Sequence, residues 1–197
     1  MFDHYQIPAS LHTAEIRIQR SLFRAVVIPV ESEAEFAERL ASTQREHHDA
    51  THHCWALRLF DPPVTRSSDA GEPSGTAGRP IAQAIESSGL ANAGVIVIRW
   101  YGGVKLGTGG LARAYRDAAV AALAEVPRAD RWLYDSLRIQ THHRNANLVF
   151  RLVSPPDIVL DHSEFGEEAE FALRVRRSMT DRVAAELDSH RIGFIRG

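Results

Sequence analysis

The sequence has very little cysteine and very little lysine. Its single cysteine, Cys54, excludes an internal disulfide and fits a reducing compartment. Its single lysine, Lys105, stands beside 22 arginines. No apolar stretch approaches the length of a membrane span, and the polar start of the chain lacks the apolar run of a signal peptide. We therefore expect a cytoplasmic protein that does not bind membranes.

An excess of positive charge is also missing. The chain has 23 Lys and Arg against 25 Asp and Glu. Up to Asp130 there are 13 basic and 15 acidic residues, and 10 of each follow. Proteins that coat nucleic acids rely on many cationic contacts with phosphates. Any site for a polyanion must therefore be local.

Hydrophobic periodicity predicts two domains. Residues 13–30 alternate as two strands, and a helix capped by Ser32 follows. Further strands and helices are predicted in the segments 54–60, 80–88, 94–100 and 111–126. From residue 132 the predicted order is βαββαβ, the ferredoxin-like arrangement. We expect an α+β protein with a first domain of residues 1–130 and a ferredoxin-like second domain of residues 131–197.

The segment 61–80, DPPVTRSSDAGEPSGTAGRP, holds four prolines and three glycines without periodicity. Such long loops are usually functional or disordered. Asp69 and Glu72 are candidates for acid–base chemistry, and Ser74 and Thr76 are candidates for loop contacts with a ligand. Turn chemistry is the alternative, because both carboxylates can bind loop amides.

The stretch Gly94–Ala118 runs from a buried-type strand through YGGVKLGTGG into a helix. Glycines allow another group close to the backbone, and N–H groups at a helix start favour anions. The string matches neither GxxxxGK[ST] nor GxGxxG, and a tight turn with close packing is the alternative. No Asp or Glu lies between Glu86 and Asp117. The candidate ligand-binding residues are Arg79, Arg99, Tyr101, Gly102, Gly103, Lys105, Gly107, Thr108, Gly109, Gly110, Arg113 and Arg116.

The segment EHHDATHHC, Glu46–Cys54, contains four histidines: His47, His48, His52 and His53. Their spacing does not match the ligand pairs of standard zinc sites, and adjacent residues of a strand point to opposite faces. We expect no metal and no cofactor. Packing, solvation and a functional role all stay open for these histidines.

Three of these segments resemble the signature of the YigZ/Impact family: HHDATHHC, SSDAGEPSGTAGRP and RWYGGVKLGTGGLARAY, with RSLF at Arg20–Phe23. The match runs through roughly residues 14–125. The resemblance implies a ribosomal protein S-five domain-2-like fold, followed by a domain likened to one of elongation factor G. It also implies a link to translation, because eukaryotic relatives are associated with control of translation initiation. Ala70 stands where the family commonly has a second Asp, which argues against a two-Asp metal site.

The local patch and the resemblance together favour a translation-associated regulatory or binding protein. Its expected partners are RNA, the ribosome or a translation-regulatory protein, contacted through the glycine-rich basic surface. The alternative is a phosphate- or nucleotide-handling enzyme. In that enzyme residues 108–110 would cradle phosphate, Lys105 would neutralise it, and Asp69 or Glu72 would act as base.

Overall fold

The computed structural model describes residues 3–197 as two compact units. One unit consists of residues 6–130, and the other of residues 3–5 with residues 131–197. We expected residues 3–5 in the first domain. They belong to the second unit because the amide of Leu133 donates to the carbonyl of Asp3 over 2.7 Å. No helix in residues 3–197 is long and apolar enough to cross a membrane.

Strands and helices are interspersed along the chain. The elements up to residue 132 are, in order, β1 (His4–Pro8), β2 (His12–Ile18), β3 (Ser21–Pro29), α1 (Glu33–Glu46), β4 (His52–Leu59), β5 (Val64–Ser68), α2 (Gly78–Ser88), β6 (Ala93–Trp100), α3 (Gly107–Glu125) and β7 (Arg128–Trp132). Those that follow are β8 (Tyr134–Thr141), a 3-10 helix (His143–Asn145), α4 (Ala146–Leu152), β9 (Ile158–Phe165), β10 (Ala169–Arg176), a second 3-10 helix (Arg177–Met179), α5 (Thr180–Ser189) and β11 (Phe194–Arg196).

The first unit is built on a five-stranded antiparallel sheet of order β2-β3-β6-β4-β5. Helices α2 and α3 pack on one face of it and α1 on the other. The central strand β6 is buried on both faces, which explains its nearly continuous apolar sequence. Gly94 is required there, because a Cβ atom at this position would lie 2.4 Å from the ring of Phe36 in α1.

The second unit is a four-stranded antiparallel sheet of order β11-β8-β10-β9. Helices α4 and α5 cover one face, where Leu137, Phe171 and Leu173 form the core with Val149 and Val183. The βαββαβ order and the α+β class are therefore confirmed.

The sequence-based boundaries are wrong in several places. The supposedly irregular segment 61–80 contains β5, and the pair formed by β1 and β7 was not predicted. Helix α3 begins at Gly107 rather than at residue 111. The reason for this last error is that glycines score poorly as helix formers, although tertiary packing overrides that preference.

Candidate functional site

Both glycine-rich loops leave the same edge of the five-stranded sheet. Strands β5 and β6 are each antiparallel to β4 and therefore run in the same direction. Helix α2 follows β5, and α3 follows β6. The two helices lie side by side and parallel, since Gln83 of α2 lines a groove with Arg116 of α3, and Ser88 at the end of α2 lines a depression with Ala124 near the end of α3. Their first turns consequently lie at one edge.

Glu72 ties the first glycine-rich loop to β6 and α3, the two elements that flank the second loop. Its Oε1 atom accepts a hydrogen bond from Arg99 Nη1 over 2.5 Å and another from the Tyr115 hydroxyl over 2.8 Å. Only 4% of the Glu72 side chain and 6% of the Arg99 side chain are exposed. The guanidinium carbon of Arg99 also lies 5.4 Å from the ring centre of Phe23 and 5.2 Å from that of Tyr101. We expected Arg99 on the binding surface, but the structure instead buries it against a carboxylate.

Asp69 organises the loop that precedes α2. Its carboxylate accepts hydrogen bonds from the amides of Gly75, Ala77 and Gly78, each over 2.8 Å. Desolvation acts to raise the pKa of Asp69, but the three amide donors outweigh it and hold this pKa below its ordinary value. The Asp69 carboxylate therefore binds loop amides, as the turn alternative predicts, and its lone pairs are occupied by the loop itself.

Of the two hydroxyl residues singled out in this loop, one is buried and one is exposed. The hydroxyl of buried Thr76 donates to the carbonyl of Pro73 over 2.6 Å. Ser74 is exposed to solvent. Only Ser74 is therefore placed to meet a ligand.

Two potential nucleophiles lie beneath the loops and are held protonated. The Sγ–H of Cys54 donates to the carbonyl of Asp69 over 2.9 Å. Desolvation raises the pKa of the fully buried Cys54 thiol to about 12, and the nearby carboxylates of Glu72 and Asp69 add to this. Burial likewise raises the pKa of Tyr115 far above its ordinary value. Neither group is available as an anion near neutral pH.

The four histidines divide between the site and the surroundings of α1. His52 belongs to the site: its Nδ1 donates to the carbonyl of Ala70 over 3.0 Å, and its Nε2 lies 3.9 Å from Glu72 Oε1. His53 Nε2 donates to the carbonyl of His47 over 3.1 Å, and burial lowers the pKa of His53. His48 contacts the carbonyl of Arg45. Within residues 3–197 no group of three or more His, Cys, Asp or Glu side chains could hold a metal ion.

The glycines of the Tyr101–Gly110 turn differ in what they do. A Cβ atom at Gly102 would lie 2.2 Å from the backbone of Arg20, so only a glycine lets these two backbone segments come this close. Gly103 and Gly107 have φ angles of +86° and +70°, where other residues are strained. Gly109 and Gly110 are helical, and no atom within 4 Å would meet a Cβ at Gly109. Close packing therefore explains Gly102, and backbone conformation explains Gly103 and Gly107, but neither explains Gly109.

The first turn of α3 is open at its start. The cap position is held by Leu106, which provides no side-chain hydrogen bond, and the first turn contains no acidic residue. Residues 107–109 are exposed. The N–H groups of a first helical turn have no partner within the helix, and the helix dipole gives this end positive character. The turn is therefore suited to an anion.

Three exposed cations lie at the same end of the unit as this turn. Lys105 precedes it, Arg79 is the second residue of α2, and Arg20 lies beside Gly102. Tyr101, with 44% of its surface exposed, lies in the same turn, whereas Trp100 packs towards α1 and donates to Asp49. We define the basic edge as the exposed surface at this end of the unit. It consists of Arg20, Arg79, Tyr101, Lys105 and residues 107–109, including Thr108, together with the half-buried Gly110.

The remaining predicted cations lie further along α3. Arg113 and Arg116 are exposed, and Arg116 lines the groove beside Gln83 and Ser87 of α2. They extend the positive charge away from the turn.

Sequence reasoning missed the site roles of Arg20, His52 and Tyr115. Arg20 sits at the tight β2–β3 turn with a φ of +69°, and only the sheet register brings it to the glycine loop. His52 lies directly opposite Arg99 across β4 and β6. The available signal was the family resemblance, because Arg20 lies in RSLF, His52 in HHDATHHC and Tyr115 in RWYGGVKLGTGGLARAY.

These features define an α+β protein of two units, with a buried polar network beneath an exposed glycine-rich turn. The Impact N-terminal domain model matches residues 19–123. The chain is 38% identical over 158 residues to the IMPACT family member in the pol 5'region of Thermus thermophilus, covering 80% of this chain and 86% of that protein. It is 29% identical over 198 residues to IMPACT family member YigZ of Escherichia coli, covering 99% and 95%. This chain belongs to the Impact family.

One solved structure agrees with this fold over its whole length. A crystal structure described as that of a hypothetical protein superposes with a TM-score of 0.72 at 25% identity, covering 99% of this chain and 98% of that chain. The structure of the two-domain translational regulator Yih1 superposes with a TM-score of 0.42 at 25% identity, covering 58% and 47%.

Proposed function

We infer that this protein is a binding protein whose first unit holds single-stranded RNA of the translation machinery at the basic edge. The observation that carries this proposal is Gly109. A glycine within a helix destabilises it by roughly 0.5–1 kcal/mol relative to alanine. No neighbouring atom in this fold would clash with a side chain at Gly109, so packing does not require a glycine there. A phosphate that approaches the first-turn amides does require a glycine, because a Cβ atom would stand between the phosphate and the amides.

The balance of charge at the basic edge supports an anionic ligand. Arg20, Arg79 and Lys105 are exposed there, while the two carboxylates of the loops are already bound. Glu72 neutralises Arg99 in the interior, and Asp69 is saturated by amides. The outward-facing charge is therefore positive although the whole chain carries a formal charge of −2.

Tyr101 supports RNA over a simple phosphate. Its ring is partly exposed on the edge, and the buried guanidinium of Arg99 lies 5.2 Å from the ring centre. The Tyr101 amide donates to the Thr51 hydroxyl over 3.0 Å, which fixes its backbone. A ring held in this way offers a face on which a base can stack, and such stacking contributes about 1–3 kcal/mol per base. The family resemblance, with its link to translation, is the reason for proposing RNA of that machinery.

The same contacts argue against the phosphate-handling enzyme. A general base needs a free lone pair within hydrogen-bonding reach of its substrate. Glu72 is buried and accepts from Arg99 and Tyr115, and Asp69 accepts from three amides. Cys54 is held as a thiol. Binding needs none of these groups to react.

The proposal is tested with Gly109→Ala and a fluorescein-labelled oligouridylate, using fluorescence anisotropy for affinity and urea unfolding for stability. We expect the variant to gain up to about 1 kcal/mol of stability, because alanine is the better helix former. We also expect it to bind the RNA several-fold more weakly. Equal or tighter RNA binding by the variant would contradict the role of the first-turn amides.

Salt dependence provides a second readout. Five exposed cations, Arg20, Arg79, Lys105, Arg113 and Arg116, predict a slope of log affinity against log salt of roughly −3.5 for a single strand. Lys105→Ala should reduce its magnitude by about 0.7. The matched control is Arg182→Ala, an exposed arginine of α5, which should leave the slope unchanged. Salt-independent binding, or an equal effect of the control, would locate the RNA elsewhere.

A further inference from the structure

The sheet of the second unit has one face that its own helices leave open. Helices α4 and α5 pack on the face that carries Leu137 and Phe171. The alternate residues point the other way and are exposed, as Arg138 and Gln140 show in β8. Ile195 of β11 is the most exposed large hydrophobic residue described in this protein, with 72% of its surface accessible. An apolar side chain of this size on an open sheet is a candidate contact for a partner.

The strand register shapes this face into a groove. Across the sheet, Ile195 lies opposite Arg138, Arg138 opposite Ala172, and Ala172 opposite His162. Because the side chain of Ala172 is small, the surface of the sheet is depressed in the middle of this row. The depression there has a volume of about 620 Å³, and a neighbouring one has about 450 Å³. The two share Gln140 and Glu170 and are therefore adjacent.

The groove is strongly acidic at one end. The second depression is lined by four glutamates: Glu164, Glu167, Glu168 and Glu170. Arg138 is the one Arg or Lys side chain that lines either depression within the described residues. We call the surface formed by these five charged residues with Gln140, Ala172 and Ile195 the acidic groove.

The glutamates of the acidic groove are not neutralised internally. Glu164 lies 3.6 Å from His162, Glu168 lies 3.7 Å from His142, and Glu170 accepts from Gln140 over 3.4 Å. In the described residues their ion pairs are thus with histidines. Arginines elsewhere in the unit do have carboxylates of their own, as in the pair of Arg174 with Asp161 over 2.7 Å. The groove therefore keeps a surplus of negative charge.

We propose that the acidic groove binds a basic segment of a partner protein. Lysine or arginine side chains of that segment pair with the four glutamates, and an apolar side chain packs against Ile195 over Ala172. Charge repulsion argues against RNA on this face, because phosphates and glutamates repel one another at close range. The inference is independent of RNA binding at the basic edge and assigns the second unit a protein ligand.

The test uses the full chain and a fluorescein-labelled peptide of alternating arginine and leucine. Glu167→Gln/Glu168→Gln should raise the Kd about threefold to tenfold, since each exposed pair contributes modestly. The matched control, Glu38→Gln/Glu86→Gln, removes the same charge from exposed sites on α1 and α2 and should leave the Kd unchanged. Equal losses from both double variants would overturn the proposal, as would no measurable binding.

The Ile195→Asn variant distinguishes binding that uses the apolar contact in the groove from attraction by charge alone. Ile195 is largely exposed, so the variant should fold. It should nevertheless bind the peptide more weakly than the wild type at every salt concentration. Amide NMR shifts in 15N-labelled protein should map the peptide to Arg138, Ala172 and Glu170. Shifts at these residues on adding oligouridylate would overturn the proposal. So would self-association that Ile195→Asn abolishes, which would make a second copy the occupant.

Discussion

Glu72→Gln provides the sharpest test of the buried network. The substitution keeps the shape of the side chain but leaves the guanidinium of Arg99 without a counter-ion. Both side chains are at least 94% buried, and removing one partner of a buried ion pair costs about 3–5 kcal/mol. The hydrogen bond from Tyr115 can still be made to the amide oxygen, which favours the lower end of this range. We expect a loss of about 3 kcal/mol, equivalent to a fall in Tm of roughly 10 °C for a unit of this size.

The assay is urea unfolding followed by tryptophan fluorescence. Trp55 and Trp100 report on the first unit, and a Trp132→Phe background removes the signal of the second. Glu38→Gln is the control, because an exposed substitution of the same chemistry should change stability by less than about 0.5 kcal/mol.

A double-mutant cycle isolates the ion pair. If Glu72 and Arg99 stabilise one another, Arg99→Met should cost much less in the Glu72→Gln background than in the wild type. Additive losses, or a loss below about 1 kcal/mol for Glu72→Gln alone, would refute the description of this pair as buried and coupled.

Three further predictions concern the same unit. Because its pKa is depressed in the fold, Asp69 contributes stability that is present above its ordinary pKa and is lost as the pH falls through the folded value. Asp69→Asn should therefore be less stable at pH 7 and lose less stability on acid titration, and equal acid sensitivity would contradict this. With its pKa raised to about 12, Cys54 should resist a thiol reagent at pH 8 until urea unfolds the chain, and rapid native labelling would exclude its burial. Gly94→Ala should cost about 1–3 kcal/mol of unfolding free energy through overpacking against Phe36, whereas a neutral result would show that the ring can move.

Local sequence patterns were sufficient for most of the architecture. The apolar run of β6, the periodicity of the helices and the order of elements after residue 132 all depend on neighbours close in sequence. The same holds for the exposure of Lys105, which follows from the acid-free, glycine-rich turn around it. The short strand β5 was missed because its polar sequence, VTRSS, pairs with a neighbour on one side only and needs little hydrophobicity.

The sequence by itself determined that two glycine-rich loops and a cluster of cations stand near the helix starts. Only the tertiary structure decided which charges face outwards. Arg99 and Lys105 lie six residues apart in one motif, yet one is buried against Glu72 and the other is exposed. The difference arises because Glu72, 27 residues away from Arg99 in sequence, comes from a loop whose position is set by the pairing of β5 with β4. Local composition carries no record of such a long-range partner, so the charge of this edge depends on the assembled sheet.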